Sequence, residues 1–130
     1  MSTVRTVMST ERTQMYRDIL TTAIEGGIDY WAHIVSVSRY VPDVSDAIAL
    51  IKIKRGAEPR IIDTESIRKA MVILNKGGGY STRPEVEAPD WWKRKWRRAY
   101  QDCADGSWDF DASDADTVVQ VACFGEVVYG

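Results

Sequence analysis

Few residues in this 130-residue chain could carry catalytic chemistry, and their spacing argues against it. His33 is the one histidine, with no carboxylate near it in sequence to orient it. Nucleophilic catalysis needs a base beside the nucleophile, so His33 is expected to be a packed side chain. Cys103 and Cys123 lie too far apart for metal-ligand spacing and read as free thiols of a reducing compartment. The run Asp109-Phe110-Asp111-Ala112-Ser113-Asp114-Ala115-Asp116 sets oxygen ligands at alternate positions, as a calcium loop does. It has Asp114 where such a loop needs glycine and Gln120 where it needs its closing glutamate. Acids there are equally expected in the first turn of a helix, whose dipole favours them. Carboxylate-only Mg²⁺ chemistry at Asp109, Asp111 and Asp114 is the catalytic reading left open. The expectation is a protein that is not an enzyme, with no cofactor and no metal.

Gly26-Gly27 and Gly77-Gly78-Gly79 each follow a helical pattern, whereas a phosphate cradle needs strand, glycines, then a helix start. They read as a helix stop and as the start of a flexible loop, although Lys76 and Arg83 beside the second run could close on an anion.

Binding chemistry is better represented. In Trp91-Trp92-Lys93-Arg94-Lys95-Trp96-Arg97-Arg98-Ala99-Tyr100, residues Trp92, Trp96, Ala99 and Cys103 recur at i, i+4, i+7 and i+11 on one helical face. The cations take the remaining arc with Trp91. Trp92 and Trp96 are expected in the core, and Trp91, Lys93, Arg94, Arg97 and Arg98 on a partner-binding surface, since tryptophan and arginine are enriched at binding hot spots. The plain alternative is a solvated basic face. Tyr30 and Trp31, adjacent in a predicted strand, should point to opposite faces, and the outward one offers a stacking platform. Gln120 is a polar residue inside an apolar helix, so it either bonds in the interior or lines a pocket. Tyr30, Trp31 and Gln120 are the candidate pocket residues.

Charge is unevenly spread. Residues 1–90 balance, 91–101 hold five bases (Lys93, Arg94, Lys95, Arg97, Arg98), and 102–130 hold seven acids (Asp102, Asp105, Asp109, Asp111, Asp114, Asp116, Glu126). With a net charge of −2, the chain is neither a general DNA binder nor a DNA mimic. No apolar run is long enough for a membrane span, and the start lacks a signal-peptide pattern, so a cytoplasmic protein without membrane attachment is expected.

The elements that must position these residues follow from periodicity. Met15, Tyr16, Ile19, Leu20, Ala23 and Ile24 form the stripe of a first helix, stopped at Gly26-Gly27. Residues 28–40 read as a long strand, apolar on both faces and therefore central or covered. A second strand spans 47–55, with Ile51 and Ile53 inward and Lys52 and Lys54 outward, and a short third strand covers 60–62. Asp63 caps a second helix with Ile67, Ala70, Met71 and Leu74 inward. Asp90 is expected to cap the third helix. Ser113, in a capping box with Asp116, should open the fourth helix, which Gly125 ends. Residues 126–130 form a short apolar tail able to add a strand. The prediction is one α+β domain over residues 9–130, a three-stranded antiparallel sheet packed with about four helices, after a flexible segment 1–8 and with a flexible loop at 77–89.

Three stretches, Asp18–Ala32, Ile62–Ile67 and Asp111–Gly130, resemble a family of small proteins of unknown function carried by actinobacterial phages and prophages. The Gly-Gly-Ile-Asp-Tyr-Trp and Phe-Gly-Glu-Val-Val-Tyr-Gly blocks are their most specific parts. The resemblance implies no activity or catalytic residue, but it implies a setting: a phage accessory protein in a bacterial cytoplasm. The expected function is non-enzymatic, binding and inhibiting a host protein or protein complex, a defence system included. The alternative is a protein that sequesters a short nucleic acid or nucleotide. Oligomeric state is left open.

Overall fold

In a computed structural model, residues 10–38, 48–53 and 58–129 are described, so the expected flexible segment 1–8 and the turn at 42–46 lie outside the described residues. α1 (Thr10–Thr22) runs into a π turn (Ala23–Gly27). β1 (Ala32–Ser38), β2 (Ile48–Ile53) and β3 (Pro59–Asp63) follow, then α2 (Thr64–Asn75), α3 (Asp90–Cys103) and α4 (Ala112–Phe124). The strands form one antiparallel sheet in the order β1-β2-β3, packed with four helices, so the fold is α+β. No helix among the described residues is long and apolar enough to cross a membrane.

The helical stripes bury as their spacing dictates. Met15, Tyr16, Ile19 and Leu20 of α1, Ile67, Ala70, Met71 and Leu74 of α2, and Ala115, Val118, Val119 and Val121 of α4 meet in one core. Asp63 caps α2 through its Oδ1, which accepts from Ser66 N at 2.8 Å, and Ser66 Oγ accepts in return from Asp63 N. Gly79, at φ +86°, threads between helices. A Cβ there would stand 2.9 Å from Leu74 Cδ2 and 3.0 Å from Val121 Cγ2, so this position requires glycine. In the loop that follows α2, the Gly78 carbonyl accepts from Trp92 Nε1 at 3.0 Å.

Several expectations need correction. The first strand begins at Ala32, opposite Ile53, and not at 28: the N–H groups of Trp31 and Ala32 both bond to Ile28 O, closing a turn ahead of the ladder. It is an edge of the described sheet rather than a covered strand, and His33, Val35, Ser36 and Val37 are exposed. A bulge between Ile34 and Ser36 interrupts the period of two, so an apolar run there did not mean two buried faces. His33 is thus solvated, across from Lys52, and not packed. Ile51 is buried and Lys52 exposed, whereas the side chain of Ile53 and residue Lys54 lie outside the description.

At α3, Asp90 is the first helical residue and Pro89 the capping position, since proline is preorganised to lead into a helix and its carbonyl accepts from Trp92 N at 3.0 Å. At α4, the cap is Asp111, paired with Asp114 in a reciprocal box, rather than Ser113 with Asp116. An aspartate reaches the N3 amide at least as well as serine does, and the shift of register leaves Asp116 free for other work. Residues 126–129 add no strand.

Aromatic rings tie α3 to the loops on either side. Tyr80, Trp92, Trp96, Trp108 and Phe110 form a continuous ladder with ring centroids 5.2, 5.7, 5.6 and 5.5 Å apart. Trp96 is 1% exposed at its centre. Arg12 of α1 holds the far end of α3, donating to Tyr100 O at 2.9 Å and lying 4.2 Å over its ring. Trp96→Ala is expected to destabilise the protein by roughly 3–5 kcal/mol in urea unfolding, whereas Trp91→Ala, at an exposed position, should shift stability by about 0.5 kcal/mol or less.

Candidate functional site

The 14 residues of α3 divide into two faces. Trp92, Trp96, Ala99 and Cys103 are buried on one. At 100° per residue, Arg94 and Gln101 stand opposite them, with Arg97 and Arg98 to either side and Trp91 on the flank next to Arg98. Arg94, Arg97, Arg98, Gln101 and Asp102 line an open hollow of about 350 Å³. Trp91 is 55% exposed, its ring edge-to-face with the buried Trp92.

The five bases of this helix have different fates. Lys95 Nζ lies 2.7 Å from Asp114 Oδ1, which ties α3 to the cap of α4. Lys93, half-buried, lays its stem against Gly77 and meets Glu87 at 3.5 Å, so it braces the loop instead of joining the surface expected for it. Arg98 meets Asp102 at 3.8 Å, an exposed i,i+4 pair worth little. Arg94 and Arg97 form no ion pair among the described residues. Several of the acids after them serve the backbone. Asp111 and Asp114 cap α4, and Asp105, held below the usual carboxylate range by hydrogen bonds from Ser107, stabilises the turn after α3. Asp109 is exposed, and no group of three potential metal ligands occurs among the described residues.

Tyr30, Trp31 and Gln120 come together, but not as strand neighbours on opposite faces. Both aromatic residues sit in the turn before β1 and reach the same carboxylate. Tyr30 Oη donates to Asp116 Oδ2 at 2.5 Å and Trp31 Nε1 donates to Asp116 Oδ1 at 2.7 Å. Gln120 Nε2, one helical turn further along α4, donates to the same Oδ1 at 3.0 Å. Gln120 is 1% exposed, and its Oε1 accepts from Val128 N and Tyr129 N, both at 2.7 Å. Its Nε2 also donates to Tyr129 O at 2.9 Å. Tyr129 stacks on Trp31, centroids 5.5 Å apart and planes 7° apart, with Phe124 against both rings. The three residues named from the sequence are therefore brought together, and the chain's own residues 128–129 pack against them.

Asp116, Phe124 and Tyr129 were not among the sequence candidates. Asp116 was assigned to a cap, although its i,i+4 spacing from Gln120 places both on one face. The blocks Gly26–Trp31 and Asp111–Tyr129 meet here: a Cβ on Gly27 would stand 3.1 Å from Ala112 O, so the π turn can press against α4. No family model, curated protein or solved structure matches the chain.

Burial, and then the hydrogen bond to Asp116, push the Tyr30 hydroxyl up to about 12 from its ordinary 10. The folded state therefore holds this proton more tightly than the unfolded chain. Its contribution to stability is complete below pH 10 and declines as pH rises toward about 12. Burial raises Cys103 and Cys123 as well, so their loss overlaps this window. Urea unfolding followed between pH 9 and about 12 is expected to show a shallower alkaline decline in Tyr30→Phe than in wild type.

Proposed function

We propose that this protein acts by binding rather than by catalysis, docking the arginine face of α3 on a compact acidic patch of another protein and thereby inhibiting it. The observation that carries this reading is the exposure of Trp91 beside Arg94 and Arg97, two guanidinium groups that form no ion pair among the described residues. They project from a helix whose opposite face is locked by the tryptophan ladder. A rigid carrier reduces the ordering entropy that association costs. Planar guanidinium forks suit carboxylates in bidentate geometry.

A long nucleic acid fits less well. Asp102 and Asp105 stand at one end of the arginine face and Asp90 and Glu87 near the other, all but Asp102 exposed. A polyanion running along α3 would meet these acids, whereas a patch of a few carboxylates would meet only the arginines. Under the resemblance to actinobacterial phage proteins, the partner is a host protein or protein complex, a defence assembly included, in the bacterial cytoplasm.

Replacing Arg94, Arg97 and Arg98 together by glutamate tests the reading. Stability should change by about 0.5 kcal/mol or less per site, while capture of the partner from nuclease-treated host lysate should be lost. Wild-type binding to the isolated partner should weaken from low to high salt. In parallel, an oligoglutamate peptide should compete for the face better than a single-stranded oligonucleotide of equal charge. Partner capture undiminished by the triple substitution would reduce the arginine face to a solvated surface. Stronger competition by the oligonucleotide would assign it to nucleic acid.

A further inference from the structure

Gln120 is a fully buried amide whose hydrogen bonds go largely to main chain. Its Oε1 accepts from two consecutive N–H groups, and its Nε2 donates to the carbonyl of the second residue. That is recognition of main chain by one amide, with no demand on the side chains of the segment recognised. The one side chain that enters is Tyr129, stacked on the buried Trp31 and edged by Phe124. Val128 points outward, 53% exposed. Without an occupant, Gln120 would give up its bonds to Val128 N, Tyr129 N and Tyr129 O for bonds to water. The site is thus built to hold a peptide.

The occupant is lightly attached elsewhere. It leaves α4 through Gly125, left-handed at φ 78°. Its other ties are one backbone bond, Val127 N to Gly79 O at 3.0 Å, a long bond from Tyr30 Oη to Tyr129 O at 3.4 Å, an exposed contact between Thr82 and Glu126, and the packing of Val127 on the core. Beside Tyr129 opens a hollow of about 420 Å³ whose lining includes Gly27, Tyr30, Ser113, Asp116 and Thr117. Its polar groups are hydroxyls and one carboxylate, and among the described residues no cation pairs with Asp116. This lining favours a basic side chain next to the aromatic one.

We propose that Trp31, Phe124 and Gln120 form a peptide-binding slot for a segment of a partner protein carrying an aromatic residue beside a basic one, and that residues 126–129 occupy it in cis. The cis segment is a competitor that a partner segment displaces, so apparent affinity in trans is lowered by the fraction of time the slot is closed. This slot is distinct from the arginine face of α3, and the triple glutamate variant should keep it.

The test uses full-length protein and the blocked peptide acetyl-Glu-Val-Val-Tyr-Arg-amide, with the Trp31 indole N–H followed by NMR. In Tyr129→Ala the peptide should shift that signal saturably, with an affinity about tenfold or more above wild type. The same peptide with alanine for tyrosine should give no shift. Val128→Pro, which removes one N–H donor to Gln120 and leaves the ring, should also raise affinity, and it serves if Tyr129→Ala does not fold. A folded variant whose Trp31 signal ignores the peptide, or answers the alanine peptide equally, overturns the proposal. A concentration-dependent dimer that shifts Trp31 without peptide would assign the slot to a second copy's own segment instead.

Discussion

The carboxylate of Asp116 accepts from a phenol, an indole and a carboxamide, and the relative placement of three chain segments follows from that arrangement. Each donor comes from a position with little freedom: Tyr30 and Trp31 from the turn after the π helix, Gln120 from the same face of α4. All three donors are neutral, so the charge is stabilised by directed dipoles and not by a counter-ion. Hydrogen bonds to an ionised acceptor are short and directional, so they fix geometry. Once Gln120 donates to Asp116, its carbonyl oxygen is oriented toward the segment after α4, and Tyr129 can settle on Trp31. One hydrogen-bonded chain thus joins the end of the first helical region to α4 and to residues 128–129.

The other organising element is α3, a helix with an unusually sharp division of labour. Its tryptophans enter the ladder from Tyr80 to Phe110, while its arginines face water. The neighbouring acidic stretch neutralises them only in part: Asp111 and Asp114 serve a cap, Asp105 a turn and Asp116 the aromatic donors, while Asp102 meets Arg98. Helix caps and aromatic donors compete with the arginines for those carboxylates. Exposed ion pairs contribute about 0–1 kcal/mol, so an exposed arginine gains little by winning. The local backbone and indole donors prevail, and two guanidinium groups remain available at the surface. An unbalanced surface charge arises here from a chain of nearly balanced composition.

These two features lie on different elements and involve different chemistry. One presents charge on a convex, preorganised helix. The other reads main chain in a buried slot. His33 stands on the exposed edge of the described sheet, and burial raises the Cys103 and Cys123 thiols to about 12 and about 11.

Helix positions and the faces of α1, α2 and α3 were legible in the sequence because a period of 3.6 is a local property: Trp92, Trp96, Ala99 and Cys103 had to share a side, and the arginines had to occupy the other. The α+β order and the cap at Asp63 were legible for the same reason. The strand start, the edge position of β1 and the exposure of His33 were not. They depend on a bulge and on where Ile28 O finds its donors, and neither leaves a mark in apolar periodicity. Trp108 and Phe110 carried no period because they join the ladder from an irregular segment. Gln120 could be singled out as a polar residue on an apolar face, but its partners could not be named. Whether Asp116 capped α4 or turned toward Tyr30 rested on a two-residue choice between Asp111 and Ser113 as the cap, a choice of small local energy. The convergence of Tyr30 and Trp31 on Asp116, 86 and 85 residues away along the chain, decided it, because only the folded chain brings those donors within reach of that carboxylate.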